Sequence, residues 1–182
     1  DACMNCTSKF GISKCKVKNR GCCHYFPKFY LEDIHRMVKS KEGMETLNKI
    51  LSLEKVQINE YYIHAIGYFD KEEYNKYIKS YEGCLDKEED KTIYFRACPF
   101  VEPGKGCTIN PEFRTDVCNF FICNEITENL KDNELYKKYL KERESYIDWL
   151  EYENISLQKY FEDKKLDLVN NINEIINELK NE

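Results

Sequence analysis

Pro27-Lys28-Phe29-Tyr30-Leu31-Glu32-Asp33-Ile34-His35-Arg36-Met37-Val38 is the most direct pointer to the fold. Tyr30, Leu31, Ile34, Met37 and Val38 recur at the three-and-four spacing of one helix face, and a proline at the head is pre-set for a helical start. The spacing predicts a helix over 27–40. Upstream, residues 1–26 carry almost no hydrophobic periodicity and read as an irregular, cysteine-rich loop. Downstream, Met44, Leu47, Ile50 and Leu51 predict a second amphipathic piece over 44–55. Asp70 followed three residues later by Glu73 resembles a capping box, opening a helix to about Tyr81 with Tyr74, Tyr77, Ile78 and Tyr81 as its stripe.

Thr92-Ile93-Tyr94-Phe95 has strand propensity and runs into Cys98. Pro103-Gly104-Lys105-Gly106 is a turn, and Cys107-Thr108-Ile109 is placed to return as a paired strand. A small hairpin presenting Cys98 and Cys107 follows. In the tail, Tyr136, Leu140, Ile147 and Leu150 predict one helix, and Phe161, Leu168, Ile172, Ile175, Ile176 and Leu179 a second. The expected fold class is mainly α: an irregular cysteine-rich metal-binding core with a small β-hairpin and packed helices, then a C-terminal helical pair. The expected division is a cysteine-cluster domain over 1–123 and a helical extension over 124–182 packing on it.

The composition narrows the function classes. With 182 residues, 42% hydrophobic and 34% charged, the chain is globular rather than disordered. It has no apolar run near the roughly 18 residues of a membrane span. A net charge of -5 argues against nucleic acid as a partner. The basic loop Lys14-Cys15-Lys16-Val17-Lys18-Asn19-Arg20 lacks interleaved aromatics and reads as local charge compensation. Asp1 in place of an initiator Met reads as trimming or processing and leaves room for a removed leader. The expected location is cytoplasmic.

Ten cysteines are the anomaly. Cys3, Cys6, Cys15, Cys22 and Cys23 cluster at one end. Cys98, Cys107, Cys118 and Cys123 cluster later, and Cys84 stands alone. Three readings compete: thiolate ligands for zinc or an iron–sulfur cluster, five disulfides of a secreted domain, or buried apolar fillers. Clustering disfavours fillers. A chain of this length with 14 Tyr and 10 Phe has little need of disulfide staples. Cys3-x2-Cys6 has chelating spacing. The metal ligands expected are Cys3, Cys6, Cys22, Cys23, Cys98, Cys107, Cys118 and Cys123, enough for two four-thiolate sites. Cys15 and His24 are alternative ligands, and Cys15 between two lysines is also a candidate redox thiol. His35 and His64 read as packing residues. No phosphate loop, nucleophile elbow or zinc-protease motif is present.

The order of these elements resembles the CxxCxxCC cysteine-cluster family of zinc- or iron-chelating domains. Cys3, Cys6, Cys22 and Cys23 look like its first group, and Leu31-Glu32-Asp33-Ile34 like the helix that follows. Cys98-Pro99-Phe100, Gly106-Cys107-Thr108-Ile109 and Arg114-Thr115-Asp116-Val117-Cys118 look like its later elements. Fifteen residues separate Cys6 from Cys22 where the family has a short gap, Thr115 replaces a proline, and Asn110 stands where an aromatic is usual. The resemblance implies metal binding, with Arg114 in a supporting role beside a thiolate or a helix end. Flagellin lysine methylases carry a comparable arrangement linked to an iron–sulfur cluster. The expectation is therefore a protein with a cysteine-ligated zinc or iron–sulfur centre. The alternatives are an iron–sulfur enzyme modifying a protein or peptide, and a zinc-folded module for a protein partner. Enzymatic activity and oligomeric state stay open.

Overall fold

Strand pairing, not the proline, sets the start of the first helix. Lys28–Tyr30 (β1) aligns antiparallel with Tyr62–Ala65 (β3), Phe29 facing Ile63, and the Pro27 carbonyl accepts from the Ala65 amide. Helix α1 then runs Leu31–Val38, four residues later than the apolar spacing predicts, because Phe29 and Tyr30 suit a pleated edge equally well. Asp33 ties the junction by accepting from the Tyr30 amide at 3.0 Å. The computed structural model describes Cys6, residues 8–80 and residues 90–181. They are 58% helical, with seven α-helices and small antiparallel sheets, so the chain is mainly α. None of these helices is long and apolar enough to cross a membrane.

The chain divides into two units, Asp1–Phe26 with Ile66–Ile109, and Pro27–Ala65 with Asn110–Glu182. The division expected at 123–124 falls inside the second of these.

In the second unit α1 is the hub. Ile34 and Met37 are fully buried, and α2 (Lys41–Leu51), α6 (Glu134–Asp163) and α7 (Leu168–Asn181) all pack on α1. Ser40 caps α2 by accepting from the Gly43 amide, which starts it three residues before the apolar pattern does. A Cβ on Gly43 would lie 2.1 Å from the Met37 carbonyl, so the tight α1–α2 turn requires glycine. A hairpin of Val56–Asn59 (β2) and β3, not anticipated from the sequence, completes a three-stranded sheet in the order β1-β3-β2. The predicted tail helices are present, but Phe161 belongs to the first of them. The chain breaks at 164–167, where Lys165 adopts φ 58° and Asp167 caps the next turn through the Asn170 amide. Short helices Asp116–Phe120 (α4) and Asn124–Leu130 (α5) precede α6.

In the first unit, Tyr68–Phe69 (β4) leads into α3 (Lys71–Ser80). Asp70 accepts from the Glu73 amide at 3.2 Å, as the capping pattern predicts, and Tyr74 and Tyr77 pack on Phe95. Residue Tyr81, the predicted end, lies outside the described residues. The segment expected as a strand at 92–95 is instead a 3-10 turn, Lys91–Phe95. Asp90 holds it by accepting from the amide and hydroxyl of Thr92, a local alternative to a sheet ladder. Strand Arg96–Ala97 (β5) follows and pairs with β4. A hairpin is present, but as Val101–Glu102 (β6) against Gly106–Cys107 (β7): Cys107 stands opposite Val101, whereas Cys98 precedes β6 and Thr108–Ile109 follow β7 outside the strands. Gly104 and Gly106 take φ of 78° and 113°, a region closed to most side chains.

Burial raises the pKa of Asp33 from 3.8 to about 6, against the opposing pull of Arg36 and the Tyr30 amide. Between those values the native state keeps a proton the unfolded chain has released, so this group makes stability fall as pH rises through the window. Unfolding by denaturant from pH 4 to 6.5 should show the wild-type chain gaining stability relative to Asp33→Asn as pH falls. A constant difference across that range would contradict the assignment.

Candidate functional site

The first unit holds roughly 70 residues, and its apolar interior is thin. Cys15, Tyr94, Phe95, Ala97, Phe100 and Ile109 are its buried hydrophobics among the described residues. A single core in a unit of this size rarely supplies more than about 3–5 kcal/mol. Its centre is occupied by Arg20, which is 0% exposed.

The guanidinium of Arg20 is a four-way clasp. Its Nη1 donates to the carbonyls of Gly21 (2.6 Å) and Phe10 (3.4 Å), and its Nη2 to those of Ile12 (2.9 Å) and Ile93 (2.8 Å). Nε is buried without a partner. Asn19 and Gly21 on either side adopt positive φ, 52° and 57°, which folds the loop around its own side chain. Burial lowers the Arg20 pKa, and Cys15, Cys23 and Cys22 push it back. No described carboxylate forms an ion pair with it. Its electronegative neighbours are carbonyls and thiols.

Three cysteines, Cys15, Cys22 and Cys23, lie close enough to this cation to act on it. Cys15 is buried, its Sγ 3.3 Å from the Ser13 hydroxyl. Cys22 follows the Gly21 turn, and its carbonyl accepts from the His24 amide. Cys23 accepts at its carbonyl from the Cys98 amide at 2.9 Å, and Asn19 from the Gly104 amide at 3.0 Å. These two bonds fasten the Cys22–Cys23 turn to the Cys98–Cys107 hairpin. Cys6 is half-buried, and its Sγ accepts from the Ser8 amide at 3.4 Å. His24 stacks on Phe10. Burial, then the Arg20 and Arg96 charges, lowers its pKa to about 4. At neutral pH it is an uncharged imidazole whose buried Nδ1 has no partner, the form that ligates metals.

Lys14 and Lys16 rest on aromatic rings. The Lys14 ammonium lies 3.8 Å from the centre of the Tyr77 ring, and that of Lys16 4.3 Å from Tyr68. The cation beside the thiols is Arg20, whose burial sequence reasoning missed.

Cys118, exposed in α4, and Cys123, the N-cap of α5, belong to the second unit, as does half-buried Arg114. The Arg114 carbonyl accepts from Arg36. Cys3 and Cys84 lie outside the described residues. None of the eight described cysteines is joined in a disulfide. Among the described residues no three His, Cys, Asp or Glu side chains converge so as to hold a metal ion. The donor types are present in the first unit, but the structure does not draw them into a closed site. A cleft of about 560 Å³ lies elsewhere, in the second unit, between Tyr30, Tyr62, Asn154 and Gln158, and no cysteine lines it. His35 pairs with Glu32 at 3.3 Å on α1, and His64 sits in β3. No family model, curated protein or solved structure matches the chain.

Arg20→Met would leave up to four carbonyls in the first unit without their donor. The expected loss is about 2–5 kcal/mol of stability by denaturant unfolding. Arg20→Lys should recover little of it, since one ammonium does not reproduce a planar fork. A change within about 0.5 kcal/mol, typical of a surface site, would show that the clasp is dispensable.

Proposed function

We propose that the first unit is a thiolate metal-binding module, holding zinc or iron, the latter as an ion or an iron–sulfur cluster. The donors are Cys6, Cys22, Cys23, Cys98 and Cys107 with Cys3, and Cys15 and His24 in reserve. The supporting observation is the buried Arg20 cation with thiols about it and no described carboxylate paired to it. A metal bound by several thiolates carries net negative charge, the counter-charge that this interior lacks. The free Nδ1 of His24, the Ser8 amide on Cys6 and the fastening of Cys23 to Cys98 suit the same donor set.

A small unit with a thin core also gains folding free energy from a metal that it would not obtain from burial. When bound, such a centre supplies structural cross-linking or, as a cluster, electron transfer. The chain's own groups supply the rest. Arg20 offsets charge, His24 stays neutral, and the two backbone bonds hold the turn against the hairpin. Eight described cysteines without a disulfide among them suit a reducing compartment such as the cytoplasm. The likeness of the cysteine order to CxxCxxCC proteins points the same way. The interaction-module reading has separate support from α6, taken up below.

Anaerobic purification followed by metal and acid-labile sulfide analysis tests the proposal. Brown protein with iron and sulfide identifies a cluster, and colourless protein with about one zinc per site identifies a structural ion. Cys23→Ser and Cys98→Ser should each lose most of the bound metal and lower the unfolding midpoint. A metal-free wild-type chain that is folded and indifferent to added zinc or iron would overturn it.

A further inference from the structure

Helix α6 is 30 residues long, about 45 Å at the α-helical rise, and its two halves have different surroundings. In the second half, Leu150, Asn154, Leu157 and Phe161 recur at steps of four, three and four. Leu150, Leu157 and Phe161 are buried, and Asn154 accepts from the Glu32 amide at 2.9 Å. The first half continues this seam without a change of phase through Tyr136, Leu140, Arg143 and Ile147. Yet no residue of α6 before Leu150 is buried. Leu140 is 37% exposed and Trp149 44%. A groove of about 300 Å³ runs along this half, bounded by Leu140, Arg143, Glu144, Ile147 and Asp148.

A seam held at a 3.5-residue average step over this length is the pattern of a helix that expects a helical partner on that face. The charges on this half, which touches the fold through the Phe120–Tyr146 ring contact, say which partner. On its N-terminal side Lys137, Lys138, Lys141 and Arg143 outnumber Glu134, which pairs with Lys137, and Glu142, whereas Glu144, Asp148, Glu151 and Glu153 make its C-terminal side wholly acidic. A segment basic at one end and acidic at the other is complementary to itself when reversed.

We propose that the first half of α6 is a self-association surface, pairing antiparallel with the same segment of a second copy of this chain. Pairing centred between Arg143 and Glu144 sets Leu140 of one copy against Ile147 of the other, and Arg143 against Glu144. The apolar positions supply the affinity. The charges fix direction, since exposed ion pairs contribute little energy but exclude the parallel alternative, which sets like charge on like. The inference does not rest on metal in the first unit.

Sedimentation of the full chain, kept reduced and at low salt, should show a reversible, concentration-dependent doubling of mass. Leu140→Glu with Ile147→Glu should weaken association at least about tenfold, a difference of about 1.4 kcal/mol. Helicity should be unchanged, because neither side chain is buried. Lys138→Glu, Lys141→Glu and Arg143→Glu together should dissociate the pair. Adding Glu144→Lys, Asp148→Lys and Glu151→Lys in the same chain should restore it, which a parallel pair would not do. A wild-type chain monomeric throughout, or a charge reversal without rescue, would overturn the proposal and leave the groove to a different protein.

Discussion

The first unit depends on one interaction, a guanidinium removed from water and divided among four carbonyls. The clasp ties Phe10, Ile12 and Gly21 of the cysteine loop to Ile93, which is distant in sequence. The Lys14 amide donates a hydrogen bond to the Tyr94 carbonyl nearby. Desolvating such a cation is expensive unless its donors are matched and a counter-charge lies close. The carbonyls satisfy most of its donors but bring no net charge. The surrounding thiols are the groups that can, once deprotonated. Structure and proposed chemistry therefore meet at one residue: the arginine that folds the loop is also the cation whose charge the proposed metal centre would offset.

Dividing the chain changes the argument about staples. Measured over 182 residues, the aromatic content is ample for a core, and covalent or metal cross-links look superfluous. Most of the buried apolar side chains, including Ile34, Met37, Leu47 and Phe161, lie in the second unit. The cysteine-bearing unit keeps a handful, mainly Tyr94, Phe95 and Phe100. The comparison that matters for stability is between a unit's own core and its own entropy cost. On that scale the unit with most of the described thiols is the one with the thinner described core.

Much of the fold was legible locally. The Asp70–Glu73 cap and the tyrosine stripe of α3 behave as the pattern implies, because both signals act within one turn. Errors came where two local preferences are balanced. Phe29 and Tyr30 serve a strand or a helix. Phe161 is in phase with helical residues on either side of a break marked by neither glycine nor proline. The β2–β3 hairpin carries short alternations, such as Ile58 and Ile63 across Asn59–Tyr62, that were legible but unread. Arg20 was harder. A run of lysines with one arginine looks like a solvated loop, and only the long-range contact with Ile93 and the positive φ values around it turn that side chain inward. The cysteines were legible as a donor inventory. Their partition between two units depends on contacts that no spacing rule encodes.

Helix α6 shows how periodicity can run beyond the fold that explains half of it. A tertiary contact needs the seam only over the turns it covers, here Leu150 to Phe161. Before Leu150 no residue of α6 is buried, although Tyr146 rests on Phe120, so the described contacts of the second unit make little use of the seam at Leu140. Helix propensity does not account for the pattern either, because isoleucine and tyrosine are poorer helix formers than the lysine and glutamate that flank them. An apolar seam with charges segregated by end satisfies a further constraint, one that lies outside a single copy of the chain.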